Sequence, residues 1–283
     1  MRKGERRRRV VVGDVHGEFQ GFTEILRHAG VIDGAGDWSG KDTVLIQTGD
    51  VIDRGPRSLE CVALLRMLQR QARRTGGKVV RLCGNHELML LQGDYRYVNF
   101  ESPGKLKSEL KREIAEDDVT ASYSDGERMY THAGLRSRVS AKLLEDIRNN
   151  GAPGRRGAIG FFALSDHINE VFKASVMKGD LHGHVIFDID TKRGGSDEYG
   201  GIFRGDYTLL KASAEAWMIP QAFGHTPARG GRVRHSWNLK LINVDAGICK
   251  VYGGFRVYLE IDAEGRMREH GMNEGRWSSR ILG

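Results

Sequence analysis

Cysteine is scarce in this chain of 283 residues, and the little that is present follows no pattern. Cys61, Cys83 and Cys249 make an odd count without C-x-x-C spacing, which argues against a disulfide framework and against a thiolate zinc site. They read as reduced, packed side chains. Long apolar runs are missing too, since nothing approaches the roughly 18 uninterrupted residues of a membrane span. The short run Val10 to Val12 lies between charged segments and offers no signal-peptide core. The expected compartment is therefore the cytoplasm, with no membrane partner. There is no internal repeat on the scale of roughly 20 to 50 residues and no linker between halves, so residues 10–283 read as a single domain.

What is present is ordinary for a globular chain: 39% hydrophobic and 29% charged residues exclude disorder, collagen and coiled coil. The net charge of +7 is unevenly spread. Six basic side chains and one acid stand in residues 1–9, which accounts for five of the seven charges and leaves the body close to neutral. Residues 1–9 thus read as a flexible basic arm, for which a solvated terminus is favoured over contact with nucleic acid.

Hydrophobic period predicts strands at 8–12, 43–48 and 78–83, with amphipathic helices at 18–28 and 57–74 between them. Such an order implies a largely parallel sheet, whose ligands sit on the loops at the carboxyl ends of its strands. Residues 94–119 are rich in lysine and glutamate and read as a helical insertion over the core. A strand at 127–131 and a helix at 161–177 follow, then an irregular glycine-rich insertion at about 179–205. Strands are expected again at 221–223, 239–244 and 255–261.

Five short motifs fall at strand ends: Gly13-Asp14-Val15-His16-Gly17, Gly49-Asp50-Val51-Ile52-Asp53-Arg54-Gly55, Gly84-Asn85-His86-Glu87, Thr131-His132-Ala133-Gly134 and Gly224-His225-Thr226. Their carboxylates, amide and imidazoles, without thiolate, suit divalent Mn, Fe, Zn or Co. The inventory exceeds what one ion needs and includes a central aspartate able to bridge, which fits two ions roughly 3.5 to 4 Å apart. Turn-forming aspartates after strands are common, but three histidines, each beside or near glycine at a strand end, have no such turn-forming reason.

The ordered set G-D-x-H-G, G-D-x-x-D-R-G, G-N-H-E, H-A-G and G-H-T resembles the calcineurin-like metallophosphoesterase superfamily, phosphoprotein phosphatase type, over residues 10–260. H-A-G, where many eukaryotic relatives have H-G-G, points to the bacterial Shewanella-like phosphatase branch. The resemblance implies an α/β fold, a two-sheet β-sandwich flanked by helices, and a dinuclear centre, most simply of Mn. It implies Asp14, His16 and Asp50 around the first ion and Asp50, Asn85, His132 and His225 around the second, with a bridging hydroxide in line with phosphorus. His86 becomes the general acid, Asp53 its orienting carboxylate, and Arg54 a grip on phosphate oxygens. Arg204, 21 residues before His225, fills the place of a second such arginine. The implied substrate is a phosphorylated protein or small phosphoester.

Two rival readings stand beside it. A symmetrical dinucleoside-tetraphosphate hydrolase shares these motifs, although Glu87 and Arg204 lean toward a protein phosphatase. A catalytically inactive metal- or RNA-binding module has only the basic arm in its favour, against intact Asp53, Arg54 and His86. Gly179-Asp180-Leu181-His182-Gly183 repeats the letters of the first motif, with His184 beside it, but follows a helix and opens into irregular text. It reads as a loop.

Overall fold

The computed structural model describes residues 6–150, 160–187, 201–204 and 219–283. Three short apolar strands, β1 (Arg9–Val12), β2 (Val44–Gln47) and β3 (Lys78–Arg81), run parallel in that order. Val10, Leu45 and Val79 stand side by side. The crossovers are α1 (Phe19–His28) and α2 (Ser58–Arg74). On the far side of β1 the sheet continues antiparallel through β9 (Arg256–Ile261), β10 (Met267–Asn273) and β11 (Arg276–Leu282). A second sheet has the order β4 (Ser122–Ser124), β5 (Met129–Thr131), β6 (Gln221–Phe223), β8 (Leu241–Asn243) and β7 (Arg234–Ser236). The remaining helices are α3 (Asn85–Gln92), α4 (Pro103–Ala115), α5 (Ser137–Asn150) and α6 (Phe161–Lys178).

Side-chain alternation divides the interior into two cores. Val10 and Val12 of β1 pack with Phe22, Ile25 and Leu26 of α1 and with Leu65 and Leu68 of α2. Val11, between them, points the other way and joins Ile46, Val80, Tyr130, Ala222 and Ile242 between the sheets. A strand buried on both faces has no polar alternation, which is why the middles of β1 to β3 are runs of valine, leucine and isoleucine, with Arg9, Gln47, Lys78 and Arg81 at the strand ends. Each buried aliphatic side chain contributes about 1.5–3 kcal/mol. The two mixed sheets with flanking helices match the expected architecture, and the predicted strands and the helices at 18–28, 57–74 and 161–177 recur with ends moved by one or two residues, whereas the helix expected over 94–119 is confined to α4.

The basic segment differs from expectation where it is described. Arg6 pairs with Glu127 at 2.6 Å, Arg7 donates to the Gly76 carbonyl, and Arg8 pairs with Glu260 at 2.8 Å. Arg9 is buried in β1 and pairs with Asp125 at 2.9 Å. Residues 6–9 are therefore fastened to the body by three carboxylates, from the turn at 125–127 and from β9, and by the Gly76 carbonyl; residues 1–5 lie outside the described residues, as do 188–200 and Gly205. Among the described residues no helix is long and apolar enough to cross a membrane.

Within residues 94–119, α4 is anchored by charge as well as by Leu106, Leu110 and Ile114. Buried Glu113 of α4 accepts from Arg66 of α2 and, at 3.0 Å, from Arg81 of β3, while Arg66 also reaches Glu109 at 2.7 Å. Removing one member of a buried pair strands the other. Glu113→Ala should lower the unfolding free energy by about 3 kcal/mol in urea titration. A change below about 0.5 kcal/mol would mean that Arg81 does not depend on this carboxylate.

Candidate active site

The five motifs meet where strand ends of both sheets converge. Asp14 and His16 follow β1, Asp50 follows β2, Asn85 and His86 open α3 just beyond β3, and His132 and His225 follow β5 and β6. The first two loops are laced together, with Val15 and His16 N–H donating to the Asp50 carbonyl at 3.0 and 2.9 Å. Gly17 donates to Val51, and Gly55 donates back to His16. His16, Asp50, Asp53, Arg54 and His225 all have φ between 47° and 70°, a left-handed conformation that costs side-chain-bearing residues about 1–3 kcal/mol each.

Glu87 holds that strained backbone in place. Its buried carboxylate accepts from the N–H groups of Gly84 and Asp50 at 2.8 Å, Val51 at 2.9 Å and Ile52 at 3.3 Å. Burial, followed by the charge of Asp50, pushes its carboxyl up to about 7, while three of these N–H groups pull it back. Sequence reading gave Glu87 no role beyond marking a subclass.

Asp50 is the centre of the constellation. Its Oδ2 lies 3.6 Å from His16 Nε2 on one side and 3.6 Å from His132 Nε2 on the other. The Nδ1–H of His16 donates to the Ile52 carbonyl at 3.0 Å, and that of His132 to the Thr48 carbonyl at 2.9 Å. Each carbonyl fixes the tautomer, so both Nε2 lone pairs face the cleft. Nε2 of His132 also lies 3.1 Å from Asn85 Oδ1 and 3.1 Å from His225 Nδ1. Burial holds His16 down at about 4 and His225 at about 3, and lowers His132 as well, so all three are neutral at neutral pH, the form in which an imidazole can bind a metal.

His86 is different. Burial opposes its protonation, but the charge of Asp50 and a 2.6 Å hydrogen bond from Nδ1 to Asp53 Oδ2 outweigh burial and raise it. His16, Asp50 and His86 form one cluster with ligand atoms within 4.8 Å of one another, and Asp50, His132 and His225 form a second. Asp50 belongs to both.

One acid escaped the sequence reading. Asp245, just after β8, is 1% exposed, and its Oδ2 has no hydrogen-bond partner. Its carboxyl is pushed up to about 7 by burial, and Asp14 is raised by burial and then by the charge of Asp245. Two buried carboxylates, one with an orphaned oxygen, beside neutral imidazoles with inward lone pairs are a donor set suited to divalent cations. The only signal in the sequence was an acid at the end of an apolar strand, Val244-Asp245.

Arg204 is carried on a segment tied to the Thr131 motif by the Ala133 N–H to Ile202 carbonyl bond at 2.8 Å, and its charge is felt at His132 and His225. Arg54 is near enough to bear on His16. The repeated letters at Gly179 lie outside the cluster: Asp180 Oδ1 accepts from the N–H groups of His182 and Gly183 in a turn closing α6, and His184 faces Asp146 at 3.5 Å.

The calcineurin-like phosphoesterase family model matches residues 7–200, and the chain belongs to that family. An uncharacterized protein of Schizosaccharomyces pombe is 43% identical over 271 residues, covering 88% of this chain and 76% of that one. Shewanella-like protein phosphatase 2 of Arabidopsis thaliana is 44% identical over 91 residues, which are 32% of this chain but only 23% of the Arabidopsis protein. Among solved structures, the cold-active protein-tyrosine phosphatase of a psychrophilic Shewanella species shares the fold, with a TM-score of 0.68 and 22% identity over 96% of this chain and 80% of that one.

Close packing at the hub generates a test. A Cβ on Gly84, whose φ and ψ suit any residue, would stand 2.2 Å from Asp50 Oδ1 and 2.3 Å from Asp50 N. Nothing lies within 4 Å of a Cβ on Gly104 in α4. Gly84→Ala should therefore cost about 2–3 kcal/mol by urea unfolding, whereas Gly104→Ala should be neutral or stabilising. Equal behaviour of the two would show that Asp50 can move aside.

Proposed function

We propose that this chain is a two-metal phosphomonoesterase whose substrates are phosphorylated protein side chains. The observation that carries the reading is Asp50 Oδ2, equidistant from two histidine nitrogens whose tautomers are fixed by backbone carbonyls. In this reading Asp14, His16 and Asp50 hold one divalent ion and Asp50, Asn85, His132 and His225 the other, with Mn the preferred metal. When bound, such a pair lowers the pKa of water and offsets phosphoryl charge.

The protein's own groups do the rest. Arg54 and Arg204 grip phosphate oxygens, because the guanidinium fork matches their geometry. His86 gives its Nε2 proton to the departing oxygen as the phosphorus–oxygen bond breaks, and the alcohol leaves neutral. Asp53, bonded to Nδ1, orients the ring and stabilises its protonated form. Buried Asp50 is held well below the usual carboxylate range: burial works against this, but the imidazoles around it, His86 being the one whose protonated form is favoured, outweigh burial.

Four measurements test the proposal. Chelated protein should be inactive and regain phosphopeptide hydrolysis with Mn, Asp50→Asn should bind fewer ions by elemental analysis, and kcat/KM should be higher on phosphopeptides than on diadenosine tetraphosphate. Full activity after chelation overturns the metal assignment, and strong preference for the dinucleotide overturns the substrate assignment alone. His86→Asn should lower kcat on an alkyl phosphate by about 10²- to 10⁴-fold, and much less on p-nitrophenyl phosphate, whose leaving group hardly needs a proton. Equal losses on both esters would remove His86 from the acid role.

A further inference from the structure

Residues 94–100, whose place relative to the cleft is invisible in the sequence, lie against its Arg54 side. Gly93 ends α3 in the left-handed conformation with φ 84°, and the chain returns over the Arg54 turn. Tyr97 then stands between two of the groups assigned above. The Arg54 guanidinium carbon is 4.0 Å from the centroid of its ring, and the His86 ring centroid is 5.3 Å away. Asn99 Nδ2 donates to the Arg54 carbonyl at 3.2 Å and to the Gly55 carbonyl at 2.7 Å, which pins the backbone from which Arg54 projects. Arg96, 5.9 Å from the same ring, is already engaged by Asp94 through bonds of 2.7, 2.9 and 3.1 Å.

We propose that Tyr97 is a positioning residue that holds the Arg54 guanidinium ready for a phosphate group, an inference that rests on the phosphate-gripping role of Arg54 above. An arginine reaching into an open cleft has several rotamers, and the entropy of fixing one is subtracted from phosphate affinity. A carboxylate partner would fix it too, but would occupy its N–H donors and cancel its charge. The face of an aromatic ring does neither: attraction to the ring quadrupole orients the cation without accepting a hydrogen bond from it. Nε of Arg54 is buried and has no hydrogen-bond partner among the described residues, so the donors left for an anion are those of the terminal guanidinium nitrogens. The attraction belongs to the ring, so the hydroxyl of Tyr97 is dispensable. With 39% of its surface exposed, Tyr97 contributes little to the core.

The test is calorimetric binding of inorganic phosphate to Mn-reconstituted protein in a double-mutant cycle, with metal content checked by elemental analysis and folding by circular dichroism. Tyr97→Ala should weaken phosphate binding by about tenfold, and Tyr97→Phe should stay within about twofold of the parent. In an Arg54→Ala background, Tyr97→Ala should add less than about twofold, because the group it positions is gone. Multiplicative effects, a Tyr97→Phe loss as large as the Tyr97→Ala loss, or undiminished binding by Tyr97→Ala would each overturn the proposal. If Arg54→Ala itself leaves phosphate binding unaltered, the role given to Arg54 fails first and this proposal fails with it.

Discussion

The Glu87 carboxylate is the interaction on which the site rests. Alone among the acids of the cleft it turns away from the ligand cluster and collects four backbone N–H groups, three from the turn after β2 and one from the turn that opens α3. Burying a charge is costly unless it is fully hydrogen-bonded, and these donors are the compensation. In return, a turn whose Asp50, Asp53 and Arg54 all sit at positive φ is held in one conformation. The carboxylate joins β2 to α3, and through the bonds from Val15, His16 and Gly17 its influence extends to the loop after β1.

Around that hub, the fold is a device for bringing strand ends together. Strands of three or four residues, buried on both faces, are apolar in their middles and keep most of their polar residues at their ends. Their carboxyl ends then release Asp14, Asp50, His132 and His225 at the same level of the sandwich. The short strands also explain why so little separates core from cleft: Val12 is core, and Asp14, two residues on, is a cleft carboxylate.

Legibility in the sequence followed the range of the forces involved. β1 to β3, α1 and α2 were readable because period and burial coincide in them, and the five motifs were readable because function concentrates unusual residue types at turns. α3 was not, since its first seven residues are all buried and a helix buried on every side has no apolar stripe. The β10–β11 hairpin was missed because its two-residue turn is Glu274-Gly275, with glutamate at φ 48° where asparagine or aspartate would have signalled it. α5 did carry a signal, Val139 and Leu143 four residues apart, that was passed over. Asp245 and Tyr97 depend on partners more than a hundred and about forty residues away in sequence, respectively, and no local pattern could reveal such pairings. Arg6 to Arg9 mislead for the same reason: their net charge was plain, their distant partners, three carboxylates and the Gly76 carbonyl, were not.

His16 and His132 approach Asp50 from opposite sheets, one from the end of β1 and the other from the end of β5. A cation seated among these side chains would therefore act as a staple across the sandwich, tying segments that are 116 residues apart in the chain. Since the unfolded chain cannot present that arrangement, occupancy would stabilise the native state by mass action, in proportion to the logarithm of free ion over its dissociation constant. Resistance to heat, proteolysis and denaturant would thereby become a readout of metal supply, and a cell starved of the ion would meet not only an idle protein but a shorter-lived one.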